Sequence, residues 1–335
     1  MLKIDTYHSF SESLTQAQGF LKKDLEQINT LILSKLSLRV PLINGMAGYL
    51  IQAGGKRLRP LLTLLSARLL GYQGRRHIKL AACIEFIHTA TLLHDDVVDR
   101  SSQRRGRPSA NAIWGDQASI LVGDFLFSRA FEFITEDGSL DVLRVLSKTA
   151  ASIAEGEVMQ LGTIGNLDLS EKQYFQIIES KTSMLFDACC QVGGIIANAS
   201  ERDVEMVREY GYNFGIVFQM LDDLLDYGLN NSNLGKDLGR DFQEKNVTLP
   251  MILLCERITP DEKDRIQEMF SLGLLGEENF LVLKKMMTKY KIEKEIISRT
   301  VPYVTRALNC LEGLPDSQEK EFLQGFVSFT AGRNF

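Results

Sequence analysis

The chain has 335 residues, 44% of them hydrophobic and 24% charged, with a formal net charge of −5. That length allows a large core and the composition is ordinary for a globular protein, while the acidic balance argues against a general nucleic-acid-binding surface. No uncharged apolar run approaches the ~18 residues that would suggest a membrane span, and an N-terminal stretch carrying Asp5, Glu12, Asp24 and Glu26 is unlike an acid-poor transit peptide. Cys83, Cys189, Cys190, Cys255 and Cys310 show no CxxC spacing and read as reduced core residues, so the expected location is cytoplasmic.

Taken in chain order, helical periodicity predicts apolar helices over about 10–34, 40–53, 58–71, 76–100, 110–134, 139–161, 171–198, 201–227, 247–257, 260–272 and 276–312. Proline is scarce, and β-branched alternating runs joined by NG or DG turns are absent. Breaks fall at Gly54-Gly55, Gly71 to Gly74, Gly106 to Pro108, Asp137-Gly138 and Asn230 to Gly239. Helix starts are signalled by Asp168 and Ser170 before Glu171, and by Thr259-Pro260-Asp261-Glu262. No Pro/Ser-rich linker divides the sequence, which is read as one all-α domain over residues 1–335.

Two acidic clusters of the same shape stand out. Asp95, Asp96 and Asp99 lie in LLHDDVVDR, and Asp222, Asp223 and Asp226 lie in FQMLDDLLDYG, 127 positions later. On a helix the outer pair of each cluster projects from one face, where like charges repel. Such spacing makes sense around a strongly positive centre, and clustered carboxylate oxygens are the ligands that magnesium prefers. A single such cluster reads as a solvated acidic turn, but two, both flanked by Leu, Val, Phe and Met, suggest the rims of buried helices facing each other across a metal. A site using both requires the two halves of the chain to pack as one body.

Basic residues gather nearby. The first cluster runs on into Arg104-Arg105, suited to phosphate oxygens because a guanidinium donates bidentate, charge-assisted bonds. Upstream, Gly54-Gly55-Lys56-Arg57-Leu58-Arg59-Pro60 is a glycine-opened basic turn leading into a helix, without Walker-loop spacing. His88 precedes Asp95 by two helical turns on nearly the same face. Lys236 and Lys245 sit in a polar loop after the second cluster. Lys181-Thr182 interrupts an apolar helix and Gln219 precedes Asp222 by three residues. Buried polar groups need partners, so these three are either core hydrogen-bonding groups or site residues. The inventory holds no Ser/His/Asp triad, no His/Cys metal set and no dinucleotide fingerprint. It points to two phosphorylated substrates, one of them activated through magnesium.

GGKRLRP, LLHDDVVDRSSQRRG, Lys181-Thr182, FQMLDDLLDYG and GKDLGRD occur in the order seen in trans-type polyprenyl diphosphate synthases, which the chain resembles over roughly residues 40–255. EFIHTATLLHDDVVD and IAEGEVMQL are most similar to the long-chain type. The resemblance implies an all-α bundle around a deep central cavity, usually a homodimer. It implies that the six clustered aspartates hold Mg2+ on an allylic diphosphate such as farnesyl diphosphate. Arg104, Lys181 and Lys236 would contact that diphosphate, with Thr182 and Gln219 near its reacting carbon. Lys56, Arg59, His88 and Arg105 would bind isopentenyl diphosphate. The product would supply a quinone side chain such as that of ubiquinone, and its release would involve transient membrane contact without a transmembrane segment. A class I terpene cyclase shares the acidic motif but has no need of a second diphosphate pocket, and a silent partner subunit would be expected to lose clamp or pocket residues.

Product length is read from the helix before the first cluster. Cys83, Ile87, Ala90 and His94 share a stripe, and the positions four and five residues before Asp95 are Thr91 and Ala90 rather than the bulky aromatic of short-chain relatives. The reading is an open channel and a product between heptaprenyl and decaprenyl, octaprenyl or decaprenyl foremost, with Phe127 and Phe131 as candidate floor residues.

Overall fold

The computed structural model describes residues 10–36, 40–52, 55–104, 106–229 and 238–331. Arg105 and Lys236, both singled out above, lie outside them. Among the described residues the chain is helical apart from a two-residue antiparallel ribbon, β1 (Gln103–Arg104) with β2 (Arg107–Pro108). The all-α expectation therefore holds. The ribbon reverses the chain directly after the first acidic cluster, at Gly106 with its positive φ of 70°.

The N-terminal helices are α1 (Phe10–Phe20), α2 (Lys22–Leu36), α3 (Pro41–Gln52) and α4 (Leu58–Leu69). Then follow α5 (Arg76–Val98), α6 (Ala110–Trp114), α7 (Asp116–Asp137) and α8 (Leu140–Leu161). The expected 110–134 helix is split between α6 and α7 by Gly115, at φ 85°. α9 (Glu171–Ile178) opens on a capping box in which Ser170 and Gln173 satisfy each other's backbone N–H. It continues through a π-helical turn, Glu179–Ser183, into α10 (Met184–Ile196). α11 (Glu201–Asp226) is capped by Ser200, whose hydroxyl accepts from Asp203 N at 3.1 Å.

The C-terminal part comprises α12 (Arg240–Glu244), α13 (Leu249–Cys255), α14 (Pro260–Leu272), α15 (Glu277–Lys289), α16 (Ile292–Glu312) and α17 (Gln318–Ala331). The capping box predicted at Thr259 and Glu262 is present. The long 276–312 segment divides at Lys291, which takes a left-handed φ of 57°. α17 was not among the expected helices; its Phe322, Leu323, Phe326 and Val327 are buried core residues.

α11 is the axis of the bundle, packed between α10 and α16, while α5 packs most extensively on α7 and α4 on α10. Consequently α5 and α11 each finish at the cavity with their acidic turns. Two glycines permit the close approach that this requires. A Cβ on Gly156 of α8 would stand 2.7 Å from the backbone N of Lys181, and one on Gly215 of α11 would stand 2.7 Å from Cα of Ser183. Both therefore clasp the π turn, and neither position has room for a side chain. Gly215→Ala is expected to destabilise the protein by about 1–3 kcal/mol through overpacking. The check is urea unfolding, which should show a lower midpoint at an unchanged m-value.

Candidate active site

The last turns of α5 and α11 line one cavity of about 250 Å³, which also receives Arg104, Lys181, Thr182, Gln219, Arg240 and Asp241. The two acidic clusters use their three aspartates in parallel ways. In the first, Asp95 and Asp99 face the cavity, whereas Asp96 is only 1% exposed. Both Asp96 oxygens accept from Arg104 Nε at 2.9 Å, and Oδ1 also from Nη2 at 2.8 Å. In the second, Asp222 is exposed on the cavity wall, whereas Asp223 is only 4% exposed. Asp223 accepts from the Tyr174 hydroxyl at 2.6 Å and from Gln219 Nε2 at 2.6 Å. Asp226 completes that rim, accepting from the backbone N–H groups of Arg240 (3.2 Å) and Asp241 (3.0 Å).

The middle aspartate of each cluster is thus held by protein donors, because i+1 on a helix lies about 80° from the direction midway between i and i+4. Asp95, Asp99, Asp222, Asp223 and Asp226 all line the larger cavity, and Asp222 is the most exposed of them. Among the described residues no three His, Cys, Asp or Glu side chains already converge into a coordination shell. The donor chemistry, carboxylate oxygens from two facing helices, suits a hard divalent cation.

The π turn presents two further residues. Its extra residue aims Lys181 and Thr182 at the cavity, a placement typical of π-bulges at functional sites. Lys181 Nζ donates to Glu157 Oε2 at 2.7 Å and stands 3.9 Å from Asp95 Oδ2. Thr182 donates to Gln219 Oε1 at 2.9 Å, so a hydrogen-bonded series links Thr182, Gln219, Asp223 and Tyr174. The sequence alternatives for Lys181, Thr182 and Gln219 merge: these residues are internally bonded and also line the cavity.

A second, smaller cavity of about 60 Å³ adjoins the first, sharing Leu92 and Arg104 as its wall, and receives Arg57, Glu85 and His88. His88 Nε2 is 3.1 Å from Arg59 Nη1, whose guanidinium lies 4.4 Å above the Phe186 ring. Lys56 is exposed, with Nζ 5.2 Å from the Phe10 ring centre. Of the three described cationic residues expected in this pocket, the structure puts His88 on its wall and Arg59 immediately behind. Lys56 is not part of the wall. Arg57 takes that place from a left-handed backbone, φ 48°, paired with Glu85. No sequence signal separates Arg57 from its basic neighbours. Glu157, Tyr174 and Arg240 were also not assigned from sequence, although Glu157 and Arg240 stand inside segments that were quoted.

On the chain-length stripe, Cys83, Ile87 and Ala90 are buried in the α5–α7 packing, and Cys83 Sγ donates to the Ala130 carbonyl at 3.4 Å. None of these three lines either cavity. His94 turns toward α7, its Nε2 3.2 Å from the Ile120 carbonyl oxygen. Phe131 is 45% exposed and so closes no interior channel by itself, while Phe127 is half-buried beside it.

The model of the polyprenyl synthetase family matches residues 40–280. The chain belongs to that family. It is 40% identical to the octaprenyl diphosphate synthase of Escherichia coli (strain K12) over 329 residues, covering 96% of this chain and 99% of that one. Among solved structures, a decaprenyl diphosphate synthase from Rhodobacter capsulatus superposes with a TM-score of 0.90 at 40% identity, covering 96% of this chain and 99% of that one. A polyprenyl synthase from Caulobacter crescentus CB15, complexed with calcium and isoprenyl diphosphate, gives 0.91 at 39%, covering 96% and 98%. The family's dependence on a divalent cation agrees with the carboxylate geometry above.

Crowding the acids in a partly buried cavity raises their proton affinity. Burial pushes Asp223 up to about 7, against the bonds from Tyr174 and Gln219. Burial and the nearby Asp95 charge push Glu157 up to about 7 as well, against the pull of Lys181. Asp99 and Asp226 are raised in the same direction, again chiefly by burial. For Lys181, burial acts to lower the pKa, but Asp95 and Glu157 outweigh it and the net direction is upward. An acid whose folded pKa lies above its unfolded value stabilises fully below the unfolded pKa and loses that contribution as pH rises through the folded one. In the metal-free protein these groups therefore disfavour the folded state as pH climbs from about 4 through about 7. Asp223→Asn is expected to melt higher relative to wild type at about pH 8 than at about pH 5. Melting temperatures in EDTA across that range provide the check, and a constant difference would contradict the assignment.

Proposed function

We propose that this protein is a long-chain trans-polyprenyl diphosphate synthase, adding isopentenyl diphosphate repeatedly to an allylic diphosphate such as farnesyl diphosphate in the presence of Mg2+. The observation that carries the reading is the adjacency of two cavities, a larger one ringed by two carboxylate rims and a smaller one on the cationic side, with a shared wall at Leu92 and Arg104. A terpene cyclase would need only the first.

Asp95, Asp99, Asp222 and Asp226 would hold Mg2+, with Asp96 and Asp223 fixing the two rims. Bound there, the metal supplies positive charge against the diphosphate oxygens as they become more negative. Lys181 and Arg104 orient the allylic diphosphate from the protein side and, with Lys236, add to that neutralisation. His88 and Arg59 hold the isopentenyl diphosphate, with Arg57 on the same wall; the family resemblance adds Lys56 and Arg105 to this set. The allylic C–O bond breaks and diphosphate departs. The terminal carbon of isopentenyl diphosphate forms the new C–C bond through its π electrons, and the adduct loses a proton to the departing diphosphate. Thr182 and Gln219, fixed by their mutual hydrogen bond, present oxygens beside the transient cation. The apolar walls of the bundle keep water from quenching it. No activated side-chain nucleophile is needed.

The chain is proposed to act as a homodimer, with exposed apolar side chains such as Leu121, Leu140 and Val158 on α7 and α8 supporting that reading. No described helix is long and apolar enough to cross a membrane. A cytoplasmic location, transient membrane contact on product release and supply of a quinone side chain complete the proposal. Small residues at Ala90 and Thr91, with the aliphatic Ile87 deeper in α5, support a product of octaprenyl to decaprenyl length. The tail would pass where α5 and α7 are now closed against each other.

Incubation with farnesyl and isopentenyl diphosphates and Mg2+, followed by chromatographic sizing, is expected to give an all-trans product between heptaprenyl and decaprenyl. Ala90→Tyr is expected to shift products to farnesyl or geranylgeranyl diphosphate without abolishing condensation; geranyl diphosphate serves as starter for detecting the former. No condensation by the wild type would overturn the function. An unchanged distribution in the variant would overturn the tail path alone.

A further inference from the structure

Arg240 occupies an unusual position between the two acidic rims. It is the first residue of the short helix α12, and its backbone N–H, with that of Asp241, binds the Asp226 carboxylate on the second rim. Gly239, at φ 78°, fixes the approach by donating its N–H to the Asp226 carbonyl at 2.8 Å. The side chain crosses to the first rim. Its Nη2 lies 3.7 Å from Asp99 Oδ2 and 3.9 Å from Asp96 Oδ1, and it donates to the Ser101 hydroxyl just beyond α5. Glu244, one turn along α12, holds the guanidinium from behind, accepting from Nε at 2.6 Å. One residue thus joins the end of α11 to the end of α5 through a chain of polar contacts that needs no metal.

We propose that Arg240 is a built-in bridging cation: it links the two carboxylate rims in the metal-free protein and competes with divalent metal for the charge of the first rim. The inference rests on the reading of the cavity as a metal-dependent diphosphate site. The contacts to Glu244 and Ser101 hold the guanidinium beside the first rim, so a divalent ion arriving at Asp99 meets a positive charge within a few ångströms. The same contacts stabilise the metal-free state. By linkage, a contact that favours the metal-free form must weaken metal binding by the same factor. Arg240 is in this sense a positioning residue that also sets the metal concentration at which the site loads.

The test compares wild type with Arg240→Gln, which keeps an N–H donor near the Nε position that bonds Glu244 but removes the charge, and with Arg240→Met, which keeps the stem should the first fail to fold. Mn2+ is titrated in the presence of saturating inorganic diphosphate, free Mn2+ being read by electron paramagnetic resonance, and melting is recorded in EDTA. The neutral variants are expected to melt lower in EDTA and to bind Mn2+ more tightly, by about threefold or more. A lower melting temperature with unchanged Mn2+ affinity would reduce Arg240 to a structural residue, and weaker Mn2+ binding would make it a diphosphate ligand; either result overturns the proposal. Asp95→Asn separates this failure from that of the underlying reading. If Asp95→Asn binds Mn2+ as tightly as wild type, the metal site itself is refuted and the bridge with it. If it binds Mn2+ more weakly while the Arg240 variants leave affinity unchanged, only the bridge fails.

Discussion

Repulsion between two groups of carboxylates is the constraint around which the molecule is organised. Three acids in one helical turn oppose helix formation, and two such turns facing across a cavity of about 250 Å³ oppose the packing of the bundle. Nearly every unusual feature nearby offsets that repulsion. Arg104 chelates Asp96, Tyr174 and Gln219 hold Asp223, and the backbone of α12 binds Asp226. Lys181 stands between Asp95 and Glu157. The charge that remains is carried by cavity-lining carboxylates that include Asp95, Asp99 and the exposed Asp222. It makes the cavity receptive to a divalent cation and, through the cation, to a diphosphate.

The parallel use of both clusters explains why the spacing is two adjacent acids followed by a third. The outer pair serves the cavity and the middle acid serves the protein. A helix that carried only the outer pair would lack a fixed point for its last turn, which after α5 is followed closely by the β1–β2 ribbon. Anchoring by the buried, hydrogen-bonded middle carboxylate helps orient the outer pair, of which Asp226 also accepts two backbone N–H groups. The π turn plays the same part for Lys181 and Thr182. It exists because Gly156 and Gly215 leave space for the backbone to bulge between α8 and α11.

Much of this was legible in the sequence. Helical periodicity located most helices, and the caps at Ser170 and Thr259 appeared where Ser/Thr with Gln or Glu three residues later placed them. The twin clusters and the Lys181-Thr182 interruption marked the cavity. What the sequence left hidden depends on backbone conformation and long-range packing. The breaks at Gly115 and Lys291 are left-handed or extended single-residue events inside otherwise periodic segments. The π turn changes register by one residue without any dedicated residue type. Arg57 rather than Lys56 lines the smaller pocket, from a backbone at a positive φ of 48°. That Asp96 and Asp223 are the enclosed members of their clusters depends on the partners Arg104 and Tyr174, the second of them 49 positions away from Asp223.

The central claim is that the two rims form one functional unit rather than two independent acidic sites. A double-mutant cycle on turnover measures this directly, with Asp95→Ala, Asp222→Ala and the combined variant compared at saturating Mg2+ and both diphosphates. If the rims act on the same bound diphosphate, each single substitution lowers turnover by about 100-fold or more, and the double variant is hardly worse than the weaker single one. Multiplying effects, or near-normal turnover in either single variant, would contradict the account.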